Sequence, residues 1–286
     1  MQYQSPASVD EAVAALAANG GARVLAGGTD LLVQLRSGGA SPAAVVDVKR
    51  IAALRSIAET ADGFRIGAAV CGAEITDHAA LAKAWPGVAE AAGLIGSTQI
   101  QGRASLGGNV CNASPAADTT PALIAARAVA EIVGPTGKRT IPVEQIATGP
   151  GKTSLAPGEL VVAFVLPKRP ARSADAYLRL IPRTEMDIAV AGAGVNLTLA
   201  EDGTVADARV GIGAVAPTAL VLEAAPGILA DTRLEEAVLE KLAAAAGAAA
   251  NPIDDKRGTV DYRRKVVGVL AKRAALIAYD RAKGAR

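Results

Sequence analysis

Near the start of the chain, Val13, Leu16 and Ala17 recur at helical intervals. Ser8 and Glu11 stand at capping-box spacing ahead of them, and Asn19-Gly20-Gly21 follows. A helix is expected there, then a short strand from Arg23 to Ala26. Gly27-Gly28-Thr29 breaks the strand, Asp30 opens a second helix, DLLVQLRSG, and Gly38-Gly39 stops it. Residues 44 to 48, AVVDV, read as a strand, which completes a small β–loop–α–β unit.

After Leu54 the pattern turns to two extended runs about Asp62-Gly63, a hairpin signature. A helix over 81 to 94, interrupted at Pro86, leads into a polar, glycine-bearing segment from Gly96 to Asp118. A helix over about 120 to 127, a hairpin through GPTGK at 134 to 138 and a strand over 159 to 166 come next. The proline- and charge-rich PKRPARSAD, 167 to 175, is the expected domain boundary. Beyond it, strands near 176 to 182, 188 to 199 and 205 to 214, turning at Asp202-Gly203, predict an antiparallel sheet covered by helices near 233 to 247 and 259 to 283. Without regular βαβ alternation the class is α+β. The division expected is 1–170, with subdomains of about 1–53 and 54–170, and 175–286.

Composition narrows the chemistry. Hydrophobic residues make up 51% of the 286, yet no run is long and uncharged enough for a membrane span. The N-terminus lacks the features of a secretory signal, so a cytoplasmic location is expected. A net charge of +2, with the signs interspersed, offers no surface for nucleic acid. Two cysteines, Cys71 and Cys111, and one histidine, His78, cannot furnish a zinc tetrad or the thiolates of an iron–sulfur cluster. Any such metal has to come with another chain.

Two glycine-bearing loops remain, AGGTDLL at 26 to 32 and ASLGGNVCNASPAAD at 104 to 118. Paired glycines let a backbone approach an anion, and exposed N–H groups beside a helix start favour phosphate. Thr29, Ser105, Asn109, Asn112 and Ser114 add neutral donors, so the pair suits a ligand with two phosphates. The competing reading is that Gly27-Gly28 is only a turn. It is weaker for the second loop, because a long polar stretch without secondary structure is uncommon. Cys111 reads as a small packing residue and His78 as structural or solvated. Three apparent nucleotide motifs fail on spacing. GPGKTS has Ile146 where a phosphate loop needs glycine, GPTGKRT has Arg139 after its lysine, and GAGVNL ends in Leu197.

Taken together, AGGTDL and QIQGRASLGGNVCNASPAADTTPALIA closely resemble the FAD-binding medium subunit of bacterial molybdenum hydroxylases. That group includes the flavin chains of carbon monoxide, nicotinate, hydroxybenzoyl-CoA and purine dehydrogenases and the flavin domain of xanthine oxidoreductase. The likeness continues through TGPGKTSLAPGELV, YLRLIPRTEMDIAVAG, GIGAVAPT and RGTVDYRRKVVGVLAKRAA, essentially the whole chain. It implies a two-part FAD-binding domain of the PCMH (VAO-like) type followed by an α+β C-terminal domain.

It also implies a site. Ala26, Gly27, Gly28, Thr29 and Asp30 form the first pyrophosphate loop, and Ser105, Leu106, Gly107, Gly108 and Asn109 the second. Asn112, Ser114 and Asp118 contact the phosphates, ribityl chain or ribose. Asp118, an acceptor-only group, is suited to a ribose hydroxyl. Leu160 and Arg179 lie where the family contacts the isoalloxazine ring. Tyr177 is the best-placed aromatic to stack on it, and is equally readable as a half-buried strand tyrosine.

The function implied is an electron relay. A large subunit holding the molybdenum cofactor and a small subunit holding two [2Fe-2S] clusters pass electrons to FAD here and on to NAD, a quinone or another acceptor. The assembly expected is a heterotrimer, alone or paired. No general acid or base is assigned in this chain. Two alternatives stay open: a stand-alone flavin oxidase or reductase of the same fold, and a cofactor-free assembly module.

Overall fold

A computed structural model describes residues 1–284, and among them no helix is long and apolar enough to cross a membrane. The chain builds three sheets in succession. The first is small and parallel, with β1 (Gln2–Gln4), β2 (Arg23–Leu25) and β3 (Ala44–Asp47) in the order β1-β3-β2. Helix α1 (Val9–Ala18) joins β1 to β2, and α2 (Leu31–Arg36) joins β2 to β3. At the start of α1 the Ser8 half of the capping box is formed, and Glu11 reaches past Ser8 to the amide before it. Ser8 Oγ accepts from the Glu11 amide at 3.2 Å, and Glu11 Oε2 accepts from the Ala7 amide at 2.8 Å. The apolar face of α1, Ala12, Val13 and Leu16, packs with Val46, Leu54, Leu160 and Val162, so it binds the first sheet to the second.

The second sheet is antiparallel, in the order β4-β5-β10-β6-β7. It contains β4 (Ile57–Thr60), β5 (Gly63–Gly67), β6 (Val129–Gly134), β7 (Gly137–Pro142) and β10 (Leu160–Pro167). A short ribbon, β8 (Ala147–Gly149) with β9 (Lys152–Thr153), projects between β7 and β10. Six helices fill the connection from β5 to β6: α3 (Gly72–Asp77), α4 (Ala79–Ala84), α5 (Pro86–Gly93), α6 (Thr98–Gln101), α7 (Leu106–Cys111) and α8 (Thr119–Ala125). Their apolar faces close a core around Ile66, Trp85, Leu123 and Phe164. His78 has the structural role expected of it. Its Nδ1 accepts from the Leu81 amide at 3.2 Å and so caps α4.

The segment from 104 to 118 differs from the expectation of a loop without secondary structure, because α7 lies inside it. Its glycines have low helix propensity, and two other forces hold it helical. Ser105 Oγ accepts from the Gly108 amide at 3.1 Å. Gly107 lies so close to Ala68 that a Cβ there would come within 2.7 Å of the Ala68 carbonyl oxygen.

The third sheet is antiparallel, with β11 (Ser173–Leu180), β12 (Ala191–Leu199), β13 (Val205–Gly213) and β14 (Leu220–Val221) in sequential order. Helices α9 (Ala225–Leu229), α10 (Glu236–Ala249) and α11 (Val260–Gly284) follow, and an alanine-rich face of α11, including Ala271, Ala274, Ala275 and Ala278, lies in its core. Near Pro121, Gly194, Gly211 and Gly213 leave room for α8. A Cβ on Gly211 would stand 2.4 Å from the Pro121 carbonyl oxygen. Helix α8 therefore seats between the second and third sheets. The connection between those sheets is anchored as well: Arg169 stacks on Trp85 at 3.8 Å and donates to Asp175 at 2.5 Å.

Candidate functional site

The first glycine loop joins β2 to α2, and the second holds the start of α7; the fold brings them into contact. A Cβ on Gly27 would stand 1.8 Å from the Arg103 carbonyl oxygen, a distance no side chain allows. Gly28 adopts a φ of +80°, the left-handed region in which glycine meets no steric cost. Side chains tie the loops a second time, where Gln34 Nε2 donates to Asn112 Oδ1 at 3.3 Å.

Between them lies a cleft of about 380 Å³. Of the residues singled out in the sequence, Ala26, Gly27, Gly28, Thr29, Asp30, Ser105, Gly107, Gly108, Asn109, Asn112 and Leu160 line it. The two loops do not present their amides equally. Around the start of α7, Leu106 N–H donates to Val70, Gly107 N–H to Ala68 and Asn109 N–H to Ser105, while Gly108 N–H is held by the Ser105 hydroxyl. In the first loop the amides of Gly27, Gly28, Thr29 and Asp30 donate to no backbone carbonyl in the turn and cap network. The open donors are therefore those of 27 to 30, and α7 serves as a wall.

The remaining predicted residues lie elsewhere. Leu106 is 1% exposed, and its side chain belongs to the core. Ser114 Oγ is turned back onto the Ala116 amide at 3.3 Å. Asp118, Tyr177 and Arg179 form a buried group apart from the cleft lining. Tyr177 Oη donates to Asp118 Oδ1 at 2.9 Å and Arg179 Nη1 to Asp118 Oδ2 at 2.6 Å. Tyr177 is 2% exposed rather than half-buried, because α5 and α8 close over it. In this arrangement each Asp118 oxygen already accepts one bond, and the carboxylate lies off the cleft lining.

Burial sets the ionisation here. Desolvation pushes Asp118 up to about 6 despite the opposing pull of Arg179 and the Tyr177 hydroxyl. Burial and the Asp118 carboxylate raise Tyr177 well above the usual phenol. Cys111, on the cleft wall, is pushed up to about 12 by burial alone, which fits a packing thiol rather than a redox one.

Some cleft residues were not singled out from the sequence: Arg23, Gln34, Gly151, Thr153, Leu155 and Glu159. The ribbon formed by β8 and β9 supplies part of the third wall, and Gly151 N–H donates to the Ala113 carbonyl at 3.0 Å. The segment TGPGKTSLAPGELV carried a signal for these, since it contains four of them as well as Leu160. Among the described residues no group of three or more His, Cys, Asp or Glu side chains is arranged to hold a metal ion.

Comparison with known proteins adds independent findings. Residues 1–169 match a family model described as the FAD binding domain in molybdopterin dehydrogenase, and residues 176–278 one described as the CO dehydrogenase flavoprotein C-terminal domain. The carbon monoxide dehydrogenase medium chain of Afipia carboxidovorans is 35% identical over 282 residues, 98% of this chain and 97% of that one. The xanthine dehydrogenase FAD-binding subunit of Escherichia coli O157:H7 is 30% identical over 273 residues, covering 95% and 93%. The fold superposes on carbon monoxide dehydrogenase from Hydrogenophaga pseudoflava with a TM-score of 0.94 at 34% identity, covering 98% of each chain.

Proposed function

Because this chain belongs to the FAD-binding subunits of the molybdenum hydroxylase family, we propose that it holds FAD in the cleft between its two glycine loops and relays electrons through it. The observation that carries the reading is the backbone contact of Gly27 with Arg103, which sets the two loops against one cleft with the free amides of 27 to 30 on one side. The fit to a dinucleotide rests on those open donors, the neutral Thr29, Ser105, Asn109 and Asn112, and an apolar floor at Leu160. FAD, when bound, supplies the electron chemistry, accepting electrons singly or in pairs. The chain positions it and excludes water.

In this proposal Ala26 to Asp30 hold the diphosphate, Ser105 and Asn109 border it, and Leu160 faces the ring system. Tyr177 and Arg179, on β11, hold the buried Asp118 and so brace the end of the second loop. Electrons enter from [2Fe-2S] clusters of a small partner subunit, themselves reduced by a large subunit with the molybdenum cofactor, and leave to NAD, a quinone or another acceptor. Support for separate partners comes from the lack of a metal-ligand cluster among the described residues. The assembly is proposed as a cytoplasmic heterotrimer, alone or paired.

The test is native purification followed by flavin spectroscopy and reconstitution. The expected result is one FAD per chain, non-covalent, with rapid bleaching in the assembled complex and no turnover of organic substrates by the chain alone. A chain without flavin absorbance and without affinity for added FAD would sink the proposal.

A further inference from the structure

A diphosphate brings about two negative charges, and neutral amides only partly offset them in a partly buried cleft. The ionisable residues of the lining, apart from Cys111, are Arg23, Asp30 and Glu159. Glu159 is already neutralised, since Arg139 Nε and Nη2 each donate to it at 2.7 Å and the Ala156 amide adds a third bond at 2.7 Å. Asp30 adds negative charge and caps nothing with its side chain. Arg23 is the one cation of the lining, and it forms no ion pair among the described residues.

Its single hydrogen bond is long and exposed, from Nη2 to Gln34 Oε1 at 3.4 Å. Gln34 in turn makes the 3.3 Å contact to Asn112, so a chain of two weak links runs from the rim of the cleft across to the second loop. A planar guanidinium held this loosely exchanges a neutral amide oxygen for a phosphate with a gain in strength, because charged hydrogen bonds are about twice as strong as neutral ones.

We propose that Arg23 supplies the counter-charge to the diphosphate of the nucleotide in the cleft. Gln34 holds its guanidinium on the rim until the phosphates arrive. The assignment rests on the reading of the cleft as a dinucleotide site, and it makes Arg23 a binding residue of that site.

The test titrates the full-length chain, stripped of flavin, with ADP and with FAD, in the wild type, R23Q, R23K and K152Q. Lys152 is an exposed cation flanked by the lining residues Gly151 and Thr153, but it is not itself in the lining. The expected result is a loss of roughly tenfold in ADP and FAD affinity for R23Q. R23K recovers most of it, K152Q binds like the wild type, and the salt dependence of ADP binding flattens in R23Q. Melting temperatures near that of the wild type separate a binding defect from misfolding. A wild type that binds both nucleotides while R23Q binds them as tightly overturns this assignment alone. A wild type that binds neither overturns the cleft reading and this assignment with it.

Discussion

Arg179 donates from Nη1 to Asp118 Oδ2 at 2.6 Å, with side chains 4% and 9% exposed, and so pins the end of the second glycine loop to the third sheet. Removing one partner leaves a buried charge without its counter-ion. D118A is expected to lose about 3–5 kcal/mol, and D118N less, because an amide oxygen still accepts from Arg179. Chemical denaturation of the three proteins at one pH checks the ranking.

The same carboxyl makes stability depend on pH. Folded Asp118 titrates at about 6, above its ordinary value of 3.8. Between those values the folded chain holds more protons at this site than the unfolded one, so stability from this group falls as pH rises through that window and is constant outside it. The melting temperature of the wild type relative to D118N is therefore expected to rise on going from about pH 6 to about pH 4. A difference that stays constant across that range would refute the assignment.

Gly27 tolerates no side chain. With a Cβ 1.8 Å from a carbonyl oxygen, G27A must force the two loops apart, at a cost of about 1–3 kcal/mol or more. Flavin content and melting temperature should fall together. G20A, where nothing lies within 4 Å, is the control and should stay within about 0.5 kcal/mol of the wild type.

Arg169 is expected to matter as much to stability as any core residue. It stacks on Trp85 and pairs with Asp175, whose own side chain is 2% exposed. R169A strands that carboxylate in the interior, and a loss of about 3–5 kcal/mol is expected from equilibrium unfolding. R169K keeps the charge but not the planar stack and should fall between.

Both thiols should be silent in the native protein. Burial raises Cys71 and pushes Cys111 up to about 12, so almost no thiolate exists near neutral pH. Mass spectrometry after iodoacetamide treatment should show neither alkylated when folded and both alkylated in denaturant.

The legible parts of the fold were those decided by short-range chemistry. The Ser8 cap of α1, the Asp62-Gly63 turn and the hairpin of β6 and β7 each need only a few neighbouring residues. Helix α7 was not legible, since Gly-Gly and Asn-Ala-Ser-Pro disfavour a helix and its support comes from Ala68, far back in the chain. Likewise the cleft loops could be named from glycine and hydroxyl patterns, whereas the burial of Tyr177 against Asp118 depends on a pairing 59 positions apart. Arg23 and Gln34 were hidden in another way. Each looks like an ordinary surface residue until the fold sets them together on the cleft rim.

The cleft has no floor-to-rim wall made by one stretch of chain; Gln34 and Asn112, which meet across it, are 78 positions apart. Whatever occupies it is therefore bound by the docked arrangement of the first and second sheets and not by either loop alone. By mass action, occupancy at a hundredfold excess over the dissociation constant adds about 2.7 kcal/mol against their separation. The cofactor thus doubles as a clamp, and its loss on dilution would be felt first as a loosening of the N-terminal layer.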